Sequence, residues 1–252
     1  MSNSSEFSRS EMLFGIEAIK KLNNAKVAVF GIGGVGGYVV EVLARSGVGE
    51  IHLFDNDVVS ITNINRQIIA THSTIGLPKV DVAAKRILDI NPNCKVFPHK
   101  MFYVRENADE VNFSDFDYVA DCIDTITSKI EIIKRCYQLN VPLICSMGTA
   151  NKLDPTAFSV ADIFETKVDP LAKVIRKKLK ELEIPSLKVV YSQELPQNPI
   201  NDTLSCRFAC ECNPEKLLTC KNRRDIPASN AFVPASAGLI LGGEIIKNLI
   251  ES

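Results

Sequence analysis

The chain has 252 residues, 46% of them apolar and 23% charged, which is ordinary for a soluble globular protein and suits one large α/β domain, or one domain with an appended lobe. A formal net charge of −1 excludes a strongly basic nucleic-acid binder and still allows a local basic patch. The polar start, Ser2 to Glu11, is no signal peptide, and the longest apolar candidate, Ala231 to Ile246, is broken by Pro234 and carries Glu244, so no membrane span is expected.

Residues 1–24 read as a polar start and a short helix, with Met12, Leu13, Ile16, Ile19 and Leu22 near helical spacing. The run Val27-Ala-Val-Phe-Gly31-Ile-Gly33-Gly34-Val-Gly36-Gly37 then reads as a covered parallel strand turning sharply into a helix. In such a turn Gly31 permits the tight bend, Gly33 lets backbone approach a phosphate, and Gly36 lets the helix pack close to the strand. The helix N-terminus offers unpaired N–H groups to an anion. A second strand, Ile51 to Asp55, ends in a carboxylate 19 residues after Gly36, about where an acid meets a ribose hydroxyl in this architecture. A nucleotide site is therefore expected, with Asp55 on the ribose and Asp57 as a helper or a cap.

Pro78 marks a helix start, and the helix runs to Asn91-Pro92. Lys95 to Phe102 reads as a third strand, and Phe116 to Asp124 as a strong strand ending in acids. An amphipathic helix, Lys129 to Leu139, and a strand, Val141 to Ser146, follow. This alternation predicts a Rossmann-like, mostly parallel sheet flanked by helices. Residues 1–150 form the expected nucleotide-binding region. Residues 151–252 form a substrate-side region that completes the sheet: a strand over Ala157 to Ile163, a helix over Pro170 to Leu182, a short strand over Lys188 to Ser192, a loop at about 194–230, functional or mobile by its length, and a closing helix over 235–250. Four of the eight cysteines, Cys94, Cys122, Cys136 and Cys145, fall in predicted strands and helices and read as reduced thiols of a cytoplasmic protein.

The default ligand of such a glycine loop is NAD. Arg66 and Lys79 argue instead for a triphosphate, which needs cations near the helix N-terminus, and Asp124 supplies a carboxylate for magnesium. Asp121, on the same strand end, is a capping or pairing residue. His52, His72 and His99 read as packing or surface residues without a catalytic role.

The ordered set Arg9, Gly31-x-Gly33-Gly34-x-Gly36, Asp55-x-Asp57, Asn63-x-x-Arg66-Gln67, Gly76-x-x-Lys79 and Cys122-x-Asp124 resembles the ThiF-type adenylating family, which includes ubiquitin-activating enzymes. That resemblance covers roughly residues 7–150. Within that family, the whole chain looks like the tRNA threonylcarbamoyladenosine dehydratase branch. The closer match is carried by Gly148-Thr-Ala-Asn-Lys-Leu-Asp154-Pro155, Asp162, Asp169-Pro170, Arg176-x-x-Leu-Lys180, Val189-Val-Tyr-Ser192-x-Glu194 and Phe232-Val-Pro234.

The resemblance implies that the glycine loop, Asn63, Arg66, Gln67 and Lys79 bind ATP, that Asp124 carries Mg2+, and that Arg9 reaches the ATP of a second subunit in a homodimer. It implies adenylation of a threonyl carboxylate on tRNA, ring closure and release of AMP, with a sulfur-transfer protein as a possible partner. The runner-up is adenylation of the C-terminal glycine of a ubiquitin-like sulfur carrier. Further alternatives are an ATP-binding scaffold without turnover and an NAD oxidoreductase.

Cys206, Cys210, Cys212 and Cys220 lack the paired Cys-x-x-Cys zinc pattern of carrier-protein relatives, although four thiolates within 15 residues suffice for zinc. Nothing marks Cys206, Cys210 or Cys212 as an activated acyl acceptor. A basic helix with Lys173, Arg176, Lys177, Lys178 and Lys180, together with Lys221, Arg223 and Arg224, suits contacts to tRNA phosphates.

Overall fold

The structure, a computed structural model, describes residues 5–200 and 227–251. The loop cysteines from Cys206 to Cys220 and the patch Lys221, Arg223 and Arg224 lie outside the described residues.

The apolar runs become strands β1 (Lys26–Phe30), β2 (Glu50–Phe54), β3 (Lys95–His99), β4 (Tyr118–Asp121), β5 (Leu143–Ser146), β6 (Phe158–Asp162) and β7 (Lys188–Ser192). They form one seven-stranded sheet in the order β3-β2-β1-β4-β5-β7-β6. Every neighbouring pair is parallel except β6 and β7, which run antiparallel with Val160 opposite Val190. The central strands are buried nearly throughout, because helices cover both faces.

One face carries α2 (Ile16–Asn24), α3 (Gly36–Arg45), α4 (Lys79–Ile90) and α7 (Val233–Glu251). Their apolar stripes pack with β1 and β2 into one core that includes Leu22, Leu43, Ile87 and Leu241. The other face carries α5 (Ile126–Leu139) and α6 (Pro170–Glu181), which bury Ile132, Ile175 and Leu179. A short α1 (Ser8–Phe14) precedes α2, and the two break at Gly15, where one helix was expected.

Other boundaries move by a few residues. β3 ends at His99, before Phe102, and α5 starts one turn before Lys129. Pro78 caps α4 rather than opening its first turn. Pro234 does not interrupt the last helix: it sits in the first turn of α7, where a missing N–H is harmless. As a result α7 has 19 residues, and an 18-residue window of it has mean hydropathy 1.3, long and apolar enough to cross a bilayer by length and composition. It is instead a core helix, packed against α3 and the sheet.

β1 lies between β2 and β4, so the strand order reverses there. In open α/β sheets the crevice beyond the carboxyl ends of the strands at such a point is where ligands bind.

Candidate active site

A cleft of about 390 Å³ opens at that crevice. Its walls come from the residues that follow β1, β2, β3, β4 and β5, together with Pro227, Ser229 and Pro234.

The glycine loop forms its floor. Gly31 adopts φ +87°, and a Cβ there would lie 2.9 Å from the carbonyl oxygen of Cys122, so only glycine fits the turn out of β1. Gly36 lies behind the loop rather than in the cleft. A Cβ there would lie 1.8 Å from the Gly31 carbonyl oxygen, so α3 reaches the strand only with glycine at this position.

The Asp55 carboxylate is clamped by backbone. Oδ2 accepts from Ile32 N–H at 2.8 Å, and Oδ1 accepts from Asp57 N–H at 2.8 Å. The first bond ties the end of β2 to the glycine loop, and the second closes a turn at Asp55 itself. Each oxygen keeps a lone pair for a ligand hydroxyl.

The segment after β2 carries the cationic side. Asn63 Oδ1 accepts from Ser60 N–H at 3.0 Å in a capping box, which leaves Nδ2 as its donor. Arg66 donates from Nη1 to the Thr62 carbonyl at 2.9 Å and to Asn65 Oδ1 at 3.0 Å. Partial burial lowers the Arg66 pKa from its ordinary value, yet a guanidinium stays charged across the physiological range. Lys79, the first residue of α4, is buried with Nζ 3.1 Å from Asp57 Oδ2. Its N–H also donates to the Asp57 carbonyl at 3.0 Å. Asp57 thus positions Lys79.

The two acids at the end of β4, Asp121 within the strand and Asp124 beyond it, separate cleanly. Asp121 is fully buried and its Oδ2 lies 2.7 Å from Lys129 Nζ, itself fully buried on α5. Lys129 also donates to the Ser146 carbonyl at 3.2 Å, and Asp121 Oδ1 accepts from Ile123 N–H at 3.1 Å. Desolvation pulls the Lys129 pKa down, but the neighbouring negative groups, Asp121 first, outweigh it and the pKa is raised, so the ammonium stays charged. Asp124 is exposed at the cleft wall, with Thr125 Oγ1 3.4 Å from its Oδ1.

The cleft brings together Gly31, Gly33, Gly34, Asp55, Asp57, Asn63, Arg66, Gln67, Lys79 and Asp124. It does not include Arg9, which is exposed on α1. The neighbouring Phe7 packs against Gly47, before β2 and away from the cleft. Arg176 does not join the basic face of α6: its Nη1 donates to the Thr166 carbonyl at 3.1 Å and to the Thr166 hydroxyl. Lys173, Lys177, Lys178 and Lys180 are exposed, and Lys178 pairs with Glu181 at 2.8 Å.

Sequence reasoning gave no role to Lys152 or to Asp169. They form a second buried ion pair at 3.0 Å, which also grips the Gly148 carbonyl at 2.7 Å. Met101, Phe102 and Tyr103 after β3, and Thr149 and Ala150 after β5, also line the cleft.

Two observations fit a nucleotide. A Cβ on Gly33 would meet nothing closer than Gln67 Nε2 at 3.9 Å, so the loop backbone is bare toward the cleft. The buried Gln67 Oε1 has no donor partner among the described residues, so a ligand donor would satisfy it. For magnesium, hard oxygen donors suit the ion, and Asp124 supplies them at the cleft wall. Among the described residues no three His, Cys, Asp or Glu side chains gather to cage a metal. A magnesium held by one carboxylate and substrate phosphates is the form such a site takes.

The ThiF family model matches residues 7–250. The tRNA threonylcarbamoyladenosine dehydratase of Bacillus subtilis is 47% identical over 247 residues, covering 98% of this chain and 95% of the relative. The dehydratase of the same name from Escherichia coli is 39% identical, covering 97% and 93%. The crystal structure of the E. coli enzyme, TcdA, in complex with ATP superposes with a TM-score of 0.81 at 30% identity, covering 98% of this chain and 94% of that one. With a family model that spans nearly its whole length and relatives that match it end to end, this chain belongs to the ThiF family.

Proposed function

We propose that this chain is an ATP-dependent tRNA threonylcarbamoyladenosine dehydratase. The observation that carries the reading is the convergence of the bare glycine loop, Asp55, Arg66, Lys79 and Asp124 on one cleft at the strand-order reversal. Relatives that match both halves of the chain carry the dehydratase name, which favours tRNA over a sulfur-carrier protein as the acceptor.

Asp55 would accept from the ribose hydroxyls, while the loop amides at Gly33 and Gly34 hold phosphate; Gly31 shapes the turn, its own N–H being donated to the Phe54 carbonyl at 2.8 Å. Gly36 acts behind the loop by letting α3 approach. Asn63 Nδ2, Gln67, Arg66 and Lys79 donate to the triphosphate and stabilise charge that develops at the α-phosphorus. Asp124 would hold Mg2+, which would neutralise charge on the departing pyrophosphate.

A carboxylate oxygen of the threonyl group attacks the α-phosphorus in line, and pyrophosphate leaves. An acyl-adenylate results. A nitrogen or oxygen of the same side chain then attacks the activated carbonyl, closes a five-membered ring and expels AMP, which carries away the carboxylate oxygen. Held groups and an intramolecular second step give high effective molarity. The exposed lysines of α6 would meet tRNA phosphates. In this reading Arg9 serves the cleft of a partner in a homodimer, a sulfur-transfer protein is a possible further partner, and the enzyme works in the cytoplasm.

The test measures pyrophosphate release with ATP and Mg2+, using tRNA with or without threonylcarbamoyladenosine. Release with the modified tRNA alone is expected. Release driven instead by a carrier protein ending in Gly-Gly would replace this reading by the runner-up.

A further inference from the structure

The motif after β5, Gly148-Thr-Ala-Asn-Lys, contains a residue that the nucleotide site leaves unused. Asn151 adopts φ +59°, the left-handed region in which asparagine is enriched. In that conformation it faces two other stretches at once. Its carbonyl accepts from Gln197 N–H at 2.7 Å, and its N–H donates to the Ala228 carbonyl at 2.8 Å. Its Oδ1 accepts from Ala228 N–H at 2.8 Å. Residues far apart in sequence are thus tied to the end of β5 by one side chain and its peptide groups.

Further bonds hold the same strip. Asn230 Nδ2 donates to the Lys152 carbonyl at 2.8 Å, and Asn65 Nδ2 donates to the Ser229 carbonyl at 3.1 Å. Pro227 and Ser229, on either side of Ala228, line the cleft, as do Thr149 and Ala150 beside Asn151. This wall stands on the β5 side, across β1 and β4 from Asp55.

We infer that Asn151 is a positioning residue for the acceptor: it fixes the Pro227–Ser229 strip as the wall along which the incoming carboxylate is aligned with the α-phosphorus. The inference rests on the adenylation reading above. Of the groups assigned to ATP, Asp55 is clamped by Ile32 and Asp57, and Lys79 by Asp57, independently of Asn151; Arg66 is linked to the strip through Asn65 but keeps its own bond to the Thr62 carbonyl. Loss of Asn151 therefore disturbs the acceptor wall more than the nucleotide.

The test compares Asn151→Gly, which keeps the left-handed backbone and lacks Oδ1, with Asn151→Asp, which keeps an acceptor oxygen. ATP affinity is measured by equilibrium binding, folding by circular dichroism, and kcat and KM by AMP formation with modified tRNA. Asn151→Gly should stay folded, bind ATP within about twofold of the wild type, and lose about ten- to a hundredfold in kcat, the scale of a misplaced reactant. Asn151→Asp should recover most of that loss. The inference is overturned if Asn151→Gly turns over like the wild type, if it loses ATP binding and folding together, or if Asn151→Asp gives no rescue. A wild-type protein that makes no AMP with the modified tRNA overturns the adenylation reading and this inference with it, a result distinct from a variant that matches an active wild type.

Discussion

Replacing Asp121 by asparagine removes one charge from a pair that has no contact with water. Asp121 and Lys129 are both 0% exposed, with Nζ 2.7 Å from Oδ2. Asparagine keeps an oxygen for Ile123 N–H but puts an NH2 group where Oδ2 accepted from Lys129, so the buried ammonium loses both its counter-charge and that acceptor. Breaking a buried pair from one side costs about 3–5 kcal/mol, because the remaining charge stays desolvated. In a protein of this size that shifts Tm down by about 6–20 °C, at about 2–4 °C per kcal/mol.

Removing both charges, as Asp121→Asn with Lys129→Met, should recover most of the loss, since a buried pair is worth little more than well-packed apolar groups. Thermal and urea unfolding of the wild type, the single variant and the double variant make the test. A single variant within about 1 kcal/mol of the wild type would refute the reasoning, as would a double variant no better than the single one.

Lys79→Met should abolish most ATP-dependent turnover, by about a hundredfold or more. Stability should change little, because its partner Asp57 is 41% exposed and already sees water; steady-state AMP formation beside a melting curve checks both. His99 is held below its ordinary pKa by burial first and by His52 second. The folded state therefore favours neutral His99, and the stability present above about pH 6.5 is lost as pH falls below it. Urea midpoints should drop more between about pH 7 and pH 5.5 in the wild type than in His99→Gln, and equal drops would contradict this. Burial pushes the Cys94 pKa to about 12 and raises those of Cys122, Cys136 and Cys145 well above the ordinary range. A thiol reagent at neutral pH should leave these four unlabelled in the native protein, as read by peptide mass mapping; rapid labelling of Cys122 would contradict that.

The parts of the fold legible in the sequence were those with a local cause. The glycine loop, the acid ending β2 and the alternation of strands with amphipathic helices each follow from residues close together. The direction of β6 did not, because the pattern of residues 158–162 reads the same in a parallel or an antiparallel strand. Asp121 read as a capping or pairing residue, and it does both, but its partner could not be named from the sequence, because Lys129 arrives from α5. The role of Pro234 depended on one boundary: inside a helix it breaks, and in the first turn it fits. Asn151 stood in a motif that carried the resemblance, but its role was not legible there, since its partners lie dozens of residues away.

The most direct test of the adenylation reading follows one atom. The threonyl carboxylate of the modified tRNA is labelled with heavy oxygen, and the products formed with ATP are analysed by mass. Attack at the α-phosphorus carries one labelled oxygen into AMP as the ring closes, and the account predicts labelled AMP with unlabelled pyrophosphate. Labelled inorganic phosphate with unlabelled ADP would place the attack at the γ-phosphorus and contradict the account.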